Sequence, residues 1–172
     1  FLSLPWIFNN HISKILKKEK LHFDKIKIEW YEKDNVTKYG LKKIFDKKIS
    51  FYKDVISHIV SFIYKFIANK KFNLRYKNSS LIFLKKIRII LDLKRNSKKN
   101  LRKISFYRKN KQSATIILDK NIKYFSKKKT YIYKDKKRDL DKMILYFLNN
   151  NYVKIFKDYS NLLITISKLT TR

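Results

Sequence analysis

Apolar positions recur along the chain with two periods, and each period predicts an element. From Ser50 to Asn69, Tyr52, Val55, Ile56, Ile59, Ile63, Phe66 and Ile67 repeat at intervals of three and four residues behind Ser50 as N-cap. This spacing gathers one stripe on the core side of a helix, so the segment is the expected main core helix. A shorter helix is expected within Phe1–Lys20, entered through Ser3 and Pro5 and striped by Phe8, Ile12, Ile15 and Leu16. The period then falls to two. Ile26, Ile28 and Trp30 alternate with Lys27, Glu29 and Tyr31 in the manner of a half-buried strand. A helix is expected from about Val36 to Lys48 behind Asp34 and Asn35 as caps. Leu81–Leu93 reads as a helix packed by Leu84, Ile87 and Leu91, or as a strand through the β-branched run Ile87-Arg88-Ile89-Ile90.

Beyond Lys111 the pattern predicts strands over Ala114–Leu118 and Lys129–Lys134. A helix follows over Arg138–Asn150, with Leu140, Met143, Ile144, Phe147 and Leu148 on one face. Tyr152–Phe156 and Leu162–Ser167 read as a hairpin around Asp158-Tyr159-Ser160-Asn161. The expected fold class is α+β, with helices packed on a small sheet, a C-terminal β-α-β-β unit, and a basic extension or loop in the middle. Neither a proline-rich nor a glycine-serine linker interrupts the chain, and no repeat is present. Residues 1–172 are therefore expected to form a single basic domain with a basic segment at about 94–113.

Charge changes the picture most. Among 172 residues, 44 are basic and 13 acidic, a net charge of +31. Self-repulsion on this scale opposes compaction unless a polyanion screens it, and nucleic acid is the natural polyanion. An apolar share of 44% is too rich for a disordered basic tail, so the chain is expected to fold. The absence of cysteine excludes disulfides, thiolate zinc sites, iron-sulfur clusters and a cysteine nucleophile. The one glycine, Gly40, leaves no room for a dinucleotide fingerprint or a phosphate-cradling loop, each of which needs several glycines close together. The most apolar window, Phe51–Ala68, is broken by Lys53, Asp54, His58 and Lys65, so no transmembrane insertion is expected. Near the start, lysines follow the apolar residues rather than preceding them, unlike a secretory signal.

The excess is uneven. Residues 61–113 hold 17 basic groups and one acid, against 13 and 7 in residues 1–60 and 14 and 5 in residues 114–172. Within Lys94–Lys111 stand Lys94, Arg95, Lys98, Lys99, Arg102, Lys103, Arg108, Lys109 and Lys111 with no acidic residue among them. A phosphate backbone suits such a run, because each neutralised phosphate releases condensed counterions. On a helix, Arg95, Lys98, Lys99, Arg102 and Lys103 would share one face, while Phe106 and Tyr107 would offer rings to unpaired bases. Lys127, Lys128 and Lys129 repeat the theme. These positions are the candidate RNA-binding residues.

No catalytic constellation accompanies them. His11, His22 and His58 are scattered without metal-ligand spacing, and His58 falls inside the strongest helix as a structural residue. Glu29 with Glu32, and Asp139 with Asp141, read as ion-pair partners and helix-start charges rather than as a general acid and base. An enzyme of nucleic-acid processing would need those acids to line a basic cleft. No enzyme, cofactor, metal or small-molecule substrate is expected.

The alphabet itself is informative. The chain has 37 Lys, 24 Ile, 14 Asn, 13 Phe and 12 Tyr against two Ala, one Gly and one Pro, as an A+T-rich gene would encode. Codons for Asp and Glu are balanced in base content, yet these residues are scarce, so the charge excess outlasts a correction for codon bias. In this alphabet, and in stretches such as Leu84-Lys85-Lys86-Ile87-Arg88-Ile89 and Lys94-Arg95-Asn96-Ser97-Lys98-Lys99, the chain resembles organelle-encoded ribosomal proteins of A+T-rich mitochondrial genomes such as those of ciliates. The resemblance implies a structural constituent of a mitochondrial ribosome in the matrix, with rRNA and neighbouring ribosomal proteins as partners. The alternative expectation is a lineage-specific accessory subunit of a respiratory or ATP-synthase complex, whose charge would meet anionic headgroups.

One measurement follows from the charge alone. The isolated chain should be poorly soluble or only partly ordered in dilute buffer, and a well-dispersed NMR spectrum of nucleic-acid-free protein at low salt would contradict this.

Overall fold

The computed structural model of the chain describes residues 9–19, 21–33, 37–38, 41–42, 50–67, 74–78, 81–84, 87–118, 121–134 and 139–170. The fold is α+β. Two compact units are present, one of residues 21–54 and 74–134 and the other of residues 1–20, 55–73 and 135–172.

The first unit is built on a sheet. Its strands are β1 (Lys25–Tyr31), β4 (Leu74–Asn78), β5 (Leu81–Leu84), β6 (Ile87–Lys94), β7 (Leu101–Arg108), β8 (Lys111–Leu118), β9 (Asn121–Ser126) and β10 (Thr130–Lys134). They lie in the order β10-β9-β8-β7-β1-β6-β5-β4. Every pairing is antiparallel except that of β1 with β6, so the earliest strand sits between two strands made much later in the chain. The alternation read in β1 sets the two faces. Ile26, Ile28 and Trp30 are buried and in register with Ile89 and Leu91 of β6 and with Ile104 and Phe106 of β7. Ala114, Ile116 and Tyr124 continue this apolar layer across β8 and β9. On the opposite face, Ser105 and Thr115 are buried with their hydroxyl oxygens 3.4 Å apart.

Leu81–Leu93 thus resolves as strands, because its β-branched residues pack well on a pleated surface. Within the helix expected over Val36–Lys48, the described residues instead form a short antiparallel pair, β2 (Thr37–Lys38) with β3 (Leu41–Lys42). Asp34, Asn35 and the remainder of that segment lie outside the described residues.

The second unit is helical. α1 (Asn10–Glu19) starts at Asn9, whose side-chain oxygen accepts the backbone N–H groups of His11 and Ile12 at 3.0 Å, and it buries Ile12 and Ile15. Ser3, Pro5, Phe8 and Lys20 lie outside the described residues. α2 (Phe51–Phe62), whose first four residues belong to the first unit, and a π-helical turn (Ile63–Ile67) form the expected core helix, with Val55, Ile56, Ile59 and Ile63 all buried. The Ser50 hydroxyl caps it by accepting the Lys53 N–H at 3.3 Å. α1 lies against the π-helical turn.

Where a hairpin was expected at the C-terminus, the chain forms α3 (Asp139–Leu148) and then α4 (Tyr152–Thr170). Asn151 caps α4 by accepting the Lys154 N–H at 3.0 Å. Leu162, Ile166 and Leu169 are buried at intervals of four and three, a helical rather than a strand period. The polar residues that suggested a turn are tolerated within the helix, where the Thr165 hydroxyl donates to the Asn161 carbonyl at 2.9 Å. Tyr146 and Tyr159 join α3 to α4 edge to face at 5.8 Å. Among the described residues, no helix is long and apolar enough to cross a membrane.

Because Phe106 is fully buried against Phe23 with ring centroids 5.1 Å apart, Phe106→Ala should lower stability by about 3–5 kcal/mol in urea denaturation. A loss below about 1 kcal/mol would place the ring outside the core.

Candidate functional site

The polar face of the sheet carries an ion network built by strand alternation. Lys27, Glu29 and Tyr31 of β1 share this face with Asp92 and Lys94 of β6 and with Lys103 of β7. The Lys103 ammonium is 2.9 Å from the Glu29 carboxylate, and the Lys27 ammonium is 3.3 Å from both Glu29 and Asp92. The Tyr31 hydroxyl donates to Asp92 at 2.7 Å and to Glu29 at 3.3 Å. Burial alone would raise the Glu29 carboxyl, but the hydrogen bond and charge of Lys103, with those of Lys27, hold it below the ordinary range. Burial acts the same way on Asp92 and is outweighed by hydrogen bonds from Tyr31 and Lys27 and by the charge of Lys94. Burial pushes the Tyr31 phenol upward, and its bond to Asp92 adds to the shift. Lys27 is held above its ordinary value although burial opposes this, because Asp92 and Glu29 flank it.

The expected RNA-binding residues divide by what they touch. Lys94 sits 3.6 Å from Asp92 and 4.7 Å above the Tyr31 ring. Arg95 bonds Asp54 at 3.4 Å and stacks on Phe51 at 5.2 Å, both in the first turn of α2. Arg102 lies over Trp30 at 4.8 Å and 3.7 Å from Glu32, whose carboxylate also accepts the Trp30 indole N–H at 3.2 Å. These three, with Lys103, hold the protein together. Two expectations are corrected here. Arg95, Lys98, Lys99, Arg102 and Lys103 do not share a helical face, because the run forms the end of β6, a loop and β7 rather than an extension. Phe106 is in the core and offers no ring to a base, since strand alternation turns it inward beside Ile104. Tyr107 is half-buried, with the Lys25 ammonium 4.8 Å above its ring and its hydroxyl 3.4 Å from Gln112.

The other cations stand exposed at two ends of the sheet. Lys98 and Lys99 lie in the loop after β6, while Arg108, Lys109 and Lys111 lie around the β7–β8 turn and Lys127, Lys128 and Lys129 in the β9–β10 turn. Since β7 has eight residues, the two ends are separated by about 24 Å of strand. Arg88 joins the second group at the start of β6. Among the described residues, no ion pair involves Lys98, Lys99, Arg88, Arg108, Lys109, Lys111, Lys127 or Lys128. At this second end is a cleft of about 420 Å³ between the residues leading into β1 and the β7–β8 turn.

No protein-family model matches the chain, and no curated protein matches it. Among solved structures, a dehydrogenase (MviM) from Clostridium difficile is similar. The match has a TM-score of 0.53 at 10% sequence identity and covers 95% of this chain. The chain spans 59% of that dehydrogenase's length. The likeness is one of fold, and it overturns the reading of the chain as a structural constituent of a mitochondrial ribosome. An architecture shared with an oxidoreductase over nearly the whole chain replaces a likeness that rested on composition, which an A+T-rich gene produces whatever its product does.

Glu29 on β1 and Glu32 just after it each form an ion pair, with Lys103 and Arg102 respectively, as expected, and the side chains of Asp139 and Asp141 lie outside the described residues. Among the described residues, no three His, Asp or Glu side chains converge as metal ligands would. Sequence reasoning missed the roles of Lys27, Tyr31 and Asp92. A signal was present, because Lys27, Glu29 and Tyr31 stand two apart on a predicted strand and Asp92 is the one acid in residues 61–113.

Both carboxyls titrate lower in the folded chain than in the unfolded one, so the unfolded chain takes up protons first as the pH falls. Their contribution is complete above about pH 5 and is lost through pH 4 and below. Thermal unfolding followed from pH 6 to pH 3 should show this decline. Lys103→Met should cost about 1–3 kcal/mol near pH 7 and flatten the decline, because Glu29 loses the partner that lowers it. An acid limb unchanged in the variant would remove Lys103 from the network.

Proposed function

We propose that the chain is a non-enzymatic binding module for a polyanion, with single-stranded nucleic acid as its partner. The observation that carries this reading is the division of the cations. In the sheet unit, Lys94, Arg95, Arg102 and Lys103 are engaged by carboxylates, while Arg88, Lys98, Lys99, Arg108, Lys109, Lys111, Lys127 and Lys128, which among the described residues form no ion pair, stand in or beside the turns at its two ends. Exposed charges have nothing to gain from clustering unless an opposite charge lies across them. A flexible single strand can follow phosphate contacts from one end to the other across the polar face. By register that face also bears Phe125, whose exposed ring suits base stacking. The name dehydrogenase belongs to the matched protein. In this chain one glycine leaves no dinucleotide fingerprint, which supports binding without catalysis. The A+T-rich alphabet supports a mitochondrial setting.

The test separates local contact from general attraction. Lys98→Gln, Lys99→Gln, Lys127→Gln and Lys128→Gln together should weaken binding of a 20-nucleotide single-stranded RNA at least tenfold. They should also reduce the slope of log affinity against log salt by about 3, because each phosphate contact contributes about 0.7 to that slope. Neutralising Lys14, Lys17, Lys154 and Lys168, which are exposed on helices, lowers the net charge equally and should do less. Fluorescence anisotropy over a salt series reads both, and equal losses would sink the assignment of contacts to the sheet ends.

A further inference from the structure

The cleft at the second end is a shaped site rather than a gap between loops. Asp24, just before β1, is fixed by three hydrogen bonds. Its N–H donates to the Tyr107 carbonyl at 3.0 Å, its carbonyl accepts the Arg88 N–H at 2.9 Å, and its carboxylate accepts the Lys109 N–H at 2.9 Å. Phe23 is braced from beneath by the buried ring of Phe106. Bonded to Asp24, the β7–β8 turn holds Lys109 and Asn110 at φ values of 48° and 61°, the left-handed pair of a tight hairpin turn. The Asn110 side chain is tied back by the Lys25 ammonium at 2.8 Å. Both segments are therefore positioned before any ligand arrives.

The lining brings apolar residues, Leu21, Phe23 and Ile87, together with His22, Asp24, Arg108 and Lys109. Arg108 and Lys109 are exposed and form no ion pair, while the Asp24 carboxylate is engaged by a backbone N–H. A volume of about 420 Å³ falls in the range of small-molecule sites.

We propose that this cleft seats one nucleotide of the single-stranded partner, with its phosphate on Arg108 and Lys109 and its base on Leu21, Phe23 and Ile87. The inference rests on the nucleic-acid reading above and adds a defined subsite to it. A lining of apolar residues and two cations fits a flat base joined to a phosphate better than it fits phosphate alone. The Asp24 carboxylate in the same cleft repels added negative charge, which favours a single phosphate over a di- or triphosphate and offers an acceptor to a sugar hydroxyl or a base amino group.

Equilibrium dialysis of the full chain against labelled uridine 5′-monophosphate tests this, with ribose 5-phosphate and inorganic phosphate as competitors. One nucleotide per chain is expected, with both competitors at least tenfold weaker. Arg108→Gln combined with Lys109→Asn, where Asn tolerates the left-handed backbone, should weaken uptake at least tenfold at unchanged thermal stability. Lys14→Gln with Lys17→Gln, exposed on α1, should leave uptake as it was. Equal competition by inorganic phosphate, or equal uptake by the Arg108/Lys109 variant, would overturn the subsite. Anisotropy with the 20-nucleotide RNA, run in parallel, separates the two readings. RNA binding without nucleotide uptake overturns the subsite and leaves the binding module standing, whereas loss of both in the unmodified chain overturns both.

Discussion

Two carboxylates, Glu29 and Asp92, let a chain of net charge +31 build the middle of its sheet. On the polar face of β1, β6 and β7, the register sets Lys103 opposite Glu29, two residues along from Lys27, and Lys94 opposite Tyr31 and two residues along from Asp92. Like charges so placed would push the strands apart. Each acid instead bridges at least two of these cations, and the Tyr31 hydroxyl ties the two acids together. Half-burial makes these contacts worth more than surface pairs, and it makes any one partner costly to remove. Carboxylates used in this way are not available elsewhere, so the turns at either end of the sheet keep their positive charge.

How much of this could be read from the sequence depended on what kind of signal each element leaves. α2 was legible because seven apolar residues keep one period over several turns and Ser50 caps them. β1 was legible because its alternation is strict over Ile26–Tyr31. α4 was not, since Asp158-Tyr159-Ser160-Asn161 has the composition of a turn, and only the spacing of Leu162, Ile166 and Leu169 reveals a helix through it. The basic run was visible as charge but not as shape. Its nine cations lie within 18 residues of sequence, yet β7 carries the chain from one end of the sheet to the other in the middle of the run. Counting charges cannot tell Lys103, which grips Glu29, from Lys98, which faces solvent. That distinction follows only from the partner strands, whose pairing joins residues some 60–80 positions apart.

The likeness to a dehydrogenase chain at 10% identity bears on the same point. One backbone arrangement is compatible with very different surfaces, because the fold is fixed by the buried apolar layer and the strand order, while the turns and the polar face are free to vary. In this chain those variable parts have become basic. Function is therefore argued from particular side chains at the sheet ends and not from the architecture that presents them.

The position of β1 also has a consequence for the order in which the molecule assembles. β1 is synthesised early, but both of its neighbours, β6 and β7, come after roughly 55 intervening residues, and its partnership with β6 is parallel. Until those strands exist, β1 presents two bare edges whose apolar residues have no layer to join, an invitation to pair with another chain. The antiparallel hairpins from β6 to β10 are local and close quickly, so β1 is captured by a sheet that has already begun to form. The lysines that alternate along its other face, Lys25 and Lys27, act in the meantime as guards. They keep nascent copies of the strand apart by repulsion and gain their cross-strand partners when Asp92 and Asn110 arrive.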